Sequence, residues 1–260
     1  MIRVSHNPPP RPTWRKRLFW IGGALIVVLS LASASFAVWA LAIPEPMHTA
    51  LLALESTAEV TVTTDTWYSF APALTAPRKG LIFYPGGRVD ARAYSPVAHA
   101  IAEAGYLVVI VPMPLNLAVL APGSARAVMA AHPTIEEWYL AGHSLGGAMT
   151  ANYVYANREC CAGLILWAAY PAENNSLADH STLNVMSIYG TRDGLATQAQ
   201  ILESQARLPP AARFVPIAGG NHAQFGWYGD QDGDNSATID RQEQQRQAVE
   251  ATLQLMQAED

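Results

Sequence analysis

The chain has 260 residues, half of them apolar and 14% charged, with a mean hydropathy of +0.10. That balance excludes a disordered chain and suits a packed domain with a large core. All 21 acidic residues follow Ile43, against 11 of the 16 basic ones, so the chain beyond Ile43 carries −10 and is a poor partner for nucleic acid.

Residues 1–17 form a basic tail containing Arg3, Arg11, Arg15, Lys16 and Arg17. Residues 18–43, from Leu18 to Ile43, carry no charge. As a helix this run reaches about 39 Å at ~1.5 Å per residue, enough to cross a bilayer. Trp14, Phe19 and Trp20 cluster at one end and Trp39 near the other, as interfacial anchors do. The basic flank predicts a single-pass membrane protein with its N-terminus cytoplasmic and the remainder extracytoplasmic. The alternative is a signal peptide that is cleaved to release a secreted protein. Ala32-Ser33-Ala34 and Ala40-Leu41-Ala42 both match a cleavage site, although the apolar run is longer than a normal signal core. Either route exports the chain beyond Ile43. Residues 44–56 read as a juxtamembrane linker and 57–260 as the exported domain.

Within that domain, residues 60–64 and 67–72 predict an opening β-hairpin, and Leu81–Tyr84 the next strand. A helix is expected over 93–104, then a buried parallel strand over the continuous apolar run 106–111. Helix at 125–131, strand at 138–142 and helix at 144–157 come next. Strands at 164–168 and 185–189, a helix at 196–206 and a last strand at 213–217 complete the alternation. The closing helix begins near Asp240, which has capping-box spacing to Glu243, and runs to about Met256. Alternation this regular predicts a mostly parallel, doubly wound α/β sheet. Residues 170–183 leave room for a loop or one short turn, so no large lid is expected.

Gly142-His143-Ser144-Leu145-Gly146 sits between the strand at 138–142 and a helical run, the setting of a nucleophile elbow. Gly142 and Gly146 remove side chains that would clash at a turn this tight, which leaves Ser144 exposed before a helix N-terminus. A serine needs a base, and the base an acid to orient it. After Ser144 the chain has two histidines, His180 and His222. His222 lies in the Gly-rich loop after the strand at 213–217, where it can swing over the serine. His180 lies in a polar stretch with no strand before it and reads as a solvated loop residue. Among the carboxylates between Ser144 and His222, Asp193 alone comes directly after a strand, in the turn Gly190-Thr191-Arg192-Asp193-Gly194. The expected triad is Ser144, Asp193 and His222, and its chemistry calls for neither cofactor nor metal.

These elements together resemble an α/β-hydrolase, more narrowly the compact, lidless, dienelactone-hydrolase-like branch, over residues 57–256. The resemblance implies an oxyanion hole of backbone N–H groups, one from Leu145 and one from the loop after the strand at 81–84. Such hydrolases usually carry His-Gly in that loop. Here it reads Pro85-Gly86-Gly87-Arg88, so the second donor is Gly87 or Arg88. The implied activity is hydrolysis of a carboxylic ester, lactone or thioester of a small acyl substrate. A non-catalytic binding module on the same fold, or an acyltransferase or peptidase using the same triad, are the alternatives.

Other residues stand nearby. Arg88 and Gln224 are candidates to touch substrate, Arg88 by forking onto a carboxylate; a loop ion pair with Asp90 is the rival role for Arg88. Phe225, Trp227 and Tyr228 line a pocket or pack the histidine loop. Adjacent Cys160 and Cys161 do not suit a mutual disulfide and read as partly buried thiols. Asp230-Gln231-Asp232-Gly233-Asp234 alternates like a calcium loop, but Asn235 and Arg241 occupy positions that need Gly and Glu. It reads as a solvated loop.

Overall fold

Four-to-six-residue apolar runs that are buried on both faces make central parallel strands, and this chain supplies them in series. The computed structural model describes residues 13–257. It divides into two units, Met1–Ala42 and Ile43–Asp260. The first, in its described part, is the helix α1 (Thr13–Leu41). Its stretch Leu18–Leu41 is 24 residues, long and apolar enough to cross a membrane by length and composition. The basic residues Arg3 and Arg11 lie outside the described residues.

The second unit holds strands β1 (Val60–Thr63), β2 (Tyr68–Pro72), β3 (Lys79–Tyr84), β4 (Leu107–Ile110), β5 (Glu137–His143), β6 (Gly163–Trp167), β7 (Asn184–Gly190) and β8 (Arg213–Ile217). They form one sheet in the order β1-β2-β4-β3-β5-β6-β7-β8. The hairpin β1–β2 joins β4 antiparallel; every pairing from β4 through β8 is parallel. Helices α2 (His48–Leu52), α3 (Ser95–Glu103), α4 (Ala125–Ala131), α5 (Leu145–Ala156), α6 (Gln198–Glu203) and α7 (Arg241–Gln257) complete it.

Alternation along the strands builds a core on each face of the sheet. Leu81 and Phe83 of β3 point to one face, where they pack with Val97 and Ile101 of α3 and with Leu255 of α7. Ile82 and Tyr84 point to the other, with Val128 of α4 and Val154 of α5. The chain therefore folds as the doubly wound α/β sheet its pattern predicts.

Several boundaries move for local reasons. The helix expected at 93–104 is a 3₁₀ turn, Ala91–Tyr94, followed by α3. Asp90 caps the turn by accepting the Arg92 N–H at 2.9 Å, and Pro96 opens α3. The helix expected at 196–206 starts at Gln198, because Thr197 and Gln200 form a reciprocal capping box. Residues 44–56 include α2, which buries Ala50, and the Met47 N–H donates to the Trp227 carbonyl at 2.7 Å. The closing helix is capped as expected, with Asp240 Oδ1 accepting the Glu243 N–H at 2.7 Å.

Candidate active site

The carboxyl ends of the parallel strands collect the loops where α/β sheets place their chemistry. The strand order reverses between β3 and β5, and the Gly86-Gly87 loop and Ser144 leave the sheet there. Ser144 has φ 51° and ψ −122°, a conformation few non-glycine residues hold. Its surroundings enforce that geometry. A Cβ on Gly142 would lie 2.5 Å from the Gly146 carbonyl carbon, and one on Gly146 would lie 2.1 Å from the Tyr84 carbonyl oxygen. Gly147 is equally confined: a Cβ there would lie 2.4 Å from the Ala169 methyl. Only glycine lets β3, β5 and α5 approach this closely.

Asp193 leaves β7 and His222 leaves β8, neighbouring strands in parallel register. Their loops touch: a Cβ on Gly190 would lie 2.4 Å from the Gly220 carbonyl oxygen. Asp193 Oδ2 stands 2.8 Å from His222 Nδ1, and both side chains are buried. Asp193 Oδ1 accepts the N–H groups of Leu195 at 2.8 Å and Ala196 at 2.7 Å. A carboxylate held this way accepts the Nδ1 proton, which leaves Nε2 as the basic nitrogen. His222 and Ser144 line one cavity of about 430 Å³, walled by Leu145, Ala148, Ala168, Ala169, Tyr170, Leu195, Ala196 and Gln231. The structure thus brings Ser144, Leu145 and His222 to a single cavity and joins Asp193 to His222.

The loop after β3 presents its N–H groups unequally. Gly86 donates to the Tyr94 hydroxyl at 3.0 Å, and Arg88, at φ 57°, donates to the Asn116 carbonyl at 2.8 Å. Gly87 lies between them, packed against the Leu145 side chain at 3.0 Å from where its Cβ would be. The first N–H groups of α5 have no intrahelical acceptor. Arg88 and Gln224 do not line the cavity. Asp90 pairs with Arg92, and the Gln224 amide donates to the Ile239 carbonyl at 3.2 Å.

Two buried polar networks support these loops and have no motif in the sequence. Tyr94 Oη lies 2.8 Å from His143 Nδ1, and the His143 ring centroid lies 4.5 Å from that of His222. Burial, with His222 adding to it, holds the His143 pKa well below the usual histidine range, and burial pushes the Tyr94 phenol up. On α7, Gln244 donates to the Asn221 carbonyl at 2.7 Å and accepts its N–H at 2.9 Å. The only sequence hint of that role is a pair of glutamines, Gln244 and Gln245, on a helix that must bury one face. Phe225 and Tyr228 are buried beside His143 rather than in the cavity wall.

Two expectations need correction. His180 is buried, not solvated, with Nε2 at 2.6 Å from the Arg158 carbonyl. The calcium-like loop is not simply solvated either, because Asp234 turns inward to accept backbone N–H groups. Cys160 and Cys161 are free thiols, half-buried before β6. Among the described residues no cluster of three or more His, Cys, Asp or Glu side chains is arranged to hold a metal ion.

A mostly parallel eight-stranded sheet with a strained serine at the end of its central strand defines an α/β-hydrolase architecture. The family model for alpha/beta hydrolases matches residues 80–246, and the chain belongs to that family. No curated protein matches the chain by sequence. Solved structures share the fold at low identity. Est1E from Butyrivibrio proteoclasticus with ferulic acid bound is 12% identical at a TM-score of 0.57, covering 79% of this chain and 99% of that one. A Klebsiella pneumoniae protein described as a dienelactone hydrolase is 15% identical at 0.53, covering 74% and 92%. The esterase domain of a Rhodothermus marinus protein is 16% identical at 0.50, covering 60% and 83%.

Proposed function

We propose that this hydrolase is a serine esterase that cleaves a carboxylic ester, lactone or thioester through an acyl-enzyme. Ser144 Oγ attacks the substrate carbonyl while His222 Nε2 takes its proton. Asp193 holds the imidazole in the required tautomer and stabilises the imidazolium. The N–H groups of Leu145 and Gly87 bind the oxyanion. Gly87 is preferred to Arg88 because the Arg88 N–H is already committed to Asn116. The intermediate then expels its alkoxide or thiolate, which receives the proton from His222. Water, deprotonated by His222, attacks the acyl-enzyme; the acid leaves and Ser144 regains its proton.

The observation that carries this reading is the 2.8 Å contact of Asp193 with His222, with Ser144 in the same cavity wall. The cavity lining narrows the substrate. Among the described residues its lining has Tyr170 as the one ionisable side chain besides His222, and alanine and leucine make up most of the rest. A neutral acyl group of modest size fits such a wall better than a carboxylate-bearing one. Two structural neighbours, an esterase domain and Est1E with ferulic acid bound, support the esterase reading. The test is a fluorophosphonate probe followed by peptide mapping. Ser144 is the expected single site of labelling, and an unlabelled protein overturns the reading.

We further infer that α1 is a signal-anchor, placing the hydrolase outside the cytoplasm. The uncharged stretch Leu18–Leu41, behind a basic tail, supports this.

A further inference from the structure

Asp234 touches both loops that carry the proposed acid and base. Its Oδ1 accepts the N–H of Gly194 at 3.0 Å, and its Oδ2 accepts the N–H of Ala223 at 2.9 Å. Gly194 is the residue after Asp193, and Ala223 the residue after His222. The other donor to Oδ1 is the N–H of Asn235, at 2.9 Å. The surrounding segment is stitched to the same loops. Arg192 Nε donates to the Ser236 carbonyl at 2.6 Å, and Asn221 Nδ2 to the Asn235 carbonyl at 2.8 Å. The Gly233 carbonyl oxygen lies 2.6 Å from where a Gly194 Cβ would be, so the chains are in contact.

We propose that Asp234 is a positioning residue that clamps the Asp193 loop to the His222 loop and so fixes the geometry of that pair. The proposal rests on the triad reading above. An ionised carboxylate suits the task, since it offers two oxygens that only accept, at opposite ends of a short, stiff group. An Asn at this position has one accepting oxygen, and its amide would face an N–H with an N–H. Leu195 and Ala196 hold the far side of Asp193 from within its own loop. The Arg192 N–H joins the two loops further back, on the Gly220 carbonyl at 2.9 Å; Asp234 adds a bridge at the residues that directly follow the acid and the base. The tight turn closed by the Asp234 N–H on the Gln231 carbonyl, at 3.1 Å, points Asp234 inward while Asp230 and Asp232 stay exposed.

The test compares Asp234→Ala and Asp234→Asn with the parent in the detergent-solubilised full chain. Turnover of p-nitrophenyl acetate is measured per active site, with sites counted by fluorophosphonate titration so that misfolded protein does not contribute. Proton NMR tracks the downfield signal of the Nδ1 proton that His222 shares with Asp193. Misplacing a reacting group by about 1 Å costs up to a hundredfold, so kcat per site should fall about ten- to a hundredfold in Asp234→Ala. KM should stay within about twofold, the NMR signal should move upfield or broaden, and Asp234→Asn should fall between the two. If Asp234→Ala does not fold, the isosteric Asp234→Asn decides by the same readings. Both variants within about twofold of the parent in kcat per site, beside an inactive Ser144→Ala, overturn the clamp alone. Retained activity in Ser144→Ala overturns the triad and the clamp with it.

Discussion

The Tyr94 hydroxyl bridges the Gly86-Gly87 loop and the turn that carries Ser144, standing 2.8 Å from His143 Nδ1 while accepting the Gly86 N–H at 3.0 Å. A phenol kept protonated by burial can hydrogen-bond Nδ1 and still has a lone pair for Gly86. This bridge occupies the region where the family usually has a histidine before the loop glycine. Pro85 stands there instead, and a histidine approaches Gly86 from the elbow.

Tyr94→Phe should therefore leave the Gly86 N–H buried and unpaired, at a cost of about 1–3 kcal/mol in stability. The loosened loop should lower kcat by about tenfold with little change in KM, less than the loss from deleting an oxyanion donor outright. Denaturant titration and steady-state kinetics check both. An unchanged kcat would show that the bridge does not set the position of Gly87.

His143 makes acid stability measurable. Its folded pKa is depressed, chiefly by burial, so the unfolded chain binds a proton that the folded chain refuses. Stability is then full above the unfolded value of about 6.5 and falls as the pH drops below it, by up to ~1.4 kcal/mol per unit. His143→Asn, which can still accept from Tyr94, should lose less stability between neutral pH and pH 5, by on the order of 1–2 kcal/mol. Parallel denaturation curves for parent and variant would contradict this.

Much of the fold is legible in the sequence because parallel strands advertise themselves locally. The run Leu107–Ile110 is buried throughout, and β3 and β6 are nearly as apolar. The elbow and the order of Ser144, Asp193 and His222 are local or topological signals too. The supporting polar groups are not. Tyr94 meets His143 across 49 positions and Asp234 meets Gly194 across 40, through contacts that exist only once the sheet has formed. His180 illustrates the reverse error: its neighbours in sequence are polar, yet the Arg158 carbonyl, 22 positions away, covers it.

Gly146→Ala should be among the most damaging single-methyl additions in the domain. The new Cβ would meet two backbone oxygens, those of Tyr84 at 2.1 Å and Pro85 at 2.3 Å, neither of which can rotate away. Overpacking of this kind costs about 3 kcal/mol or more. Gly123→Ala, where nothing lies within 4 Å of the added methyl, is the control and should change stability by less than ~0.5 kcal/mol. Chemical denaturation of the pair gives the comparison, and equal midpoints would contradict the packing argument.

Residues 44–260 should form a soluble, folded domain, while the full chain should sediment with membranes and resist alkaline extraction. The apolar length of α1 and its basic flank motivate both expectations. Mass spectrometry of the protein from its native membrane reads the N-terminus directly. A mature start near Ser35 or Ile43 would replace the anchor with a cleaved signal peptide.

The most direct test of the central claim is the turnover of p-nitrophenyl acetate by Ser144→Ala, purified beside the parent and matched to it in circular dichroism. Members of a triad act as a unit, so the account predicts a loss of several orders of magnitude in kcat with the fold intact. A folded Ser144→Ala that keeps more than about a tenth of the parental kcat would contradict Ser144 as the nucleophile.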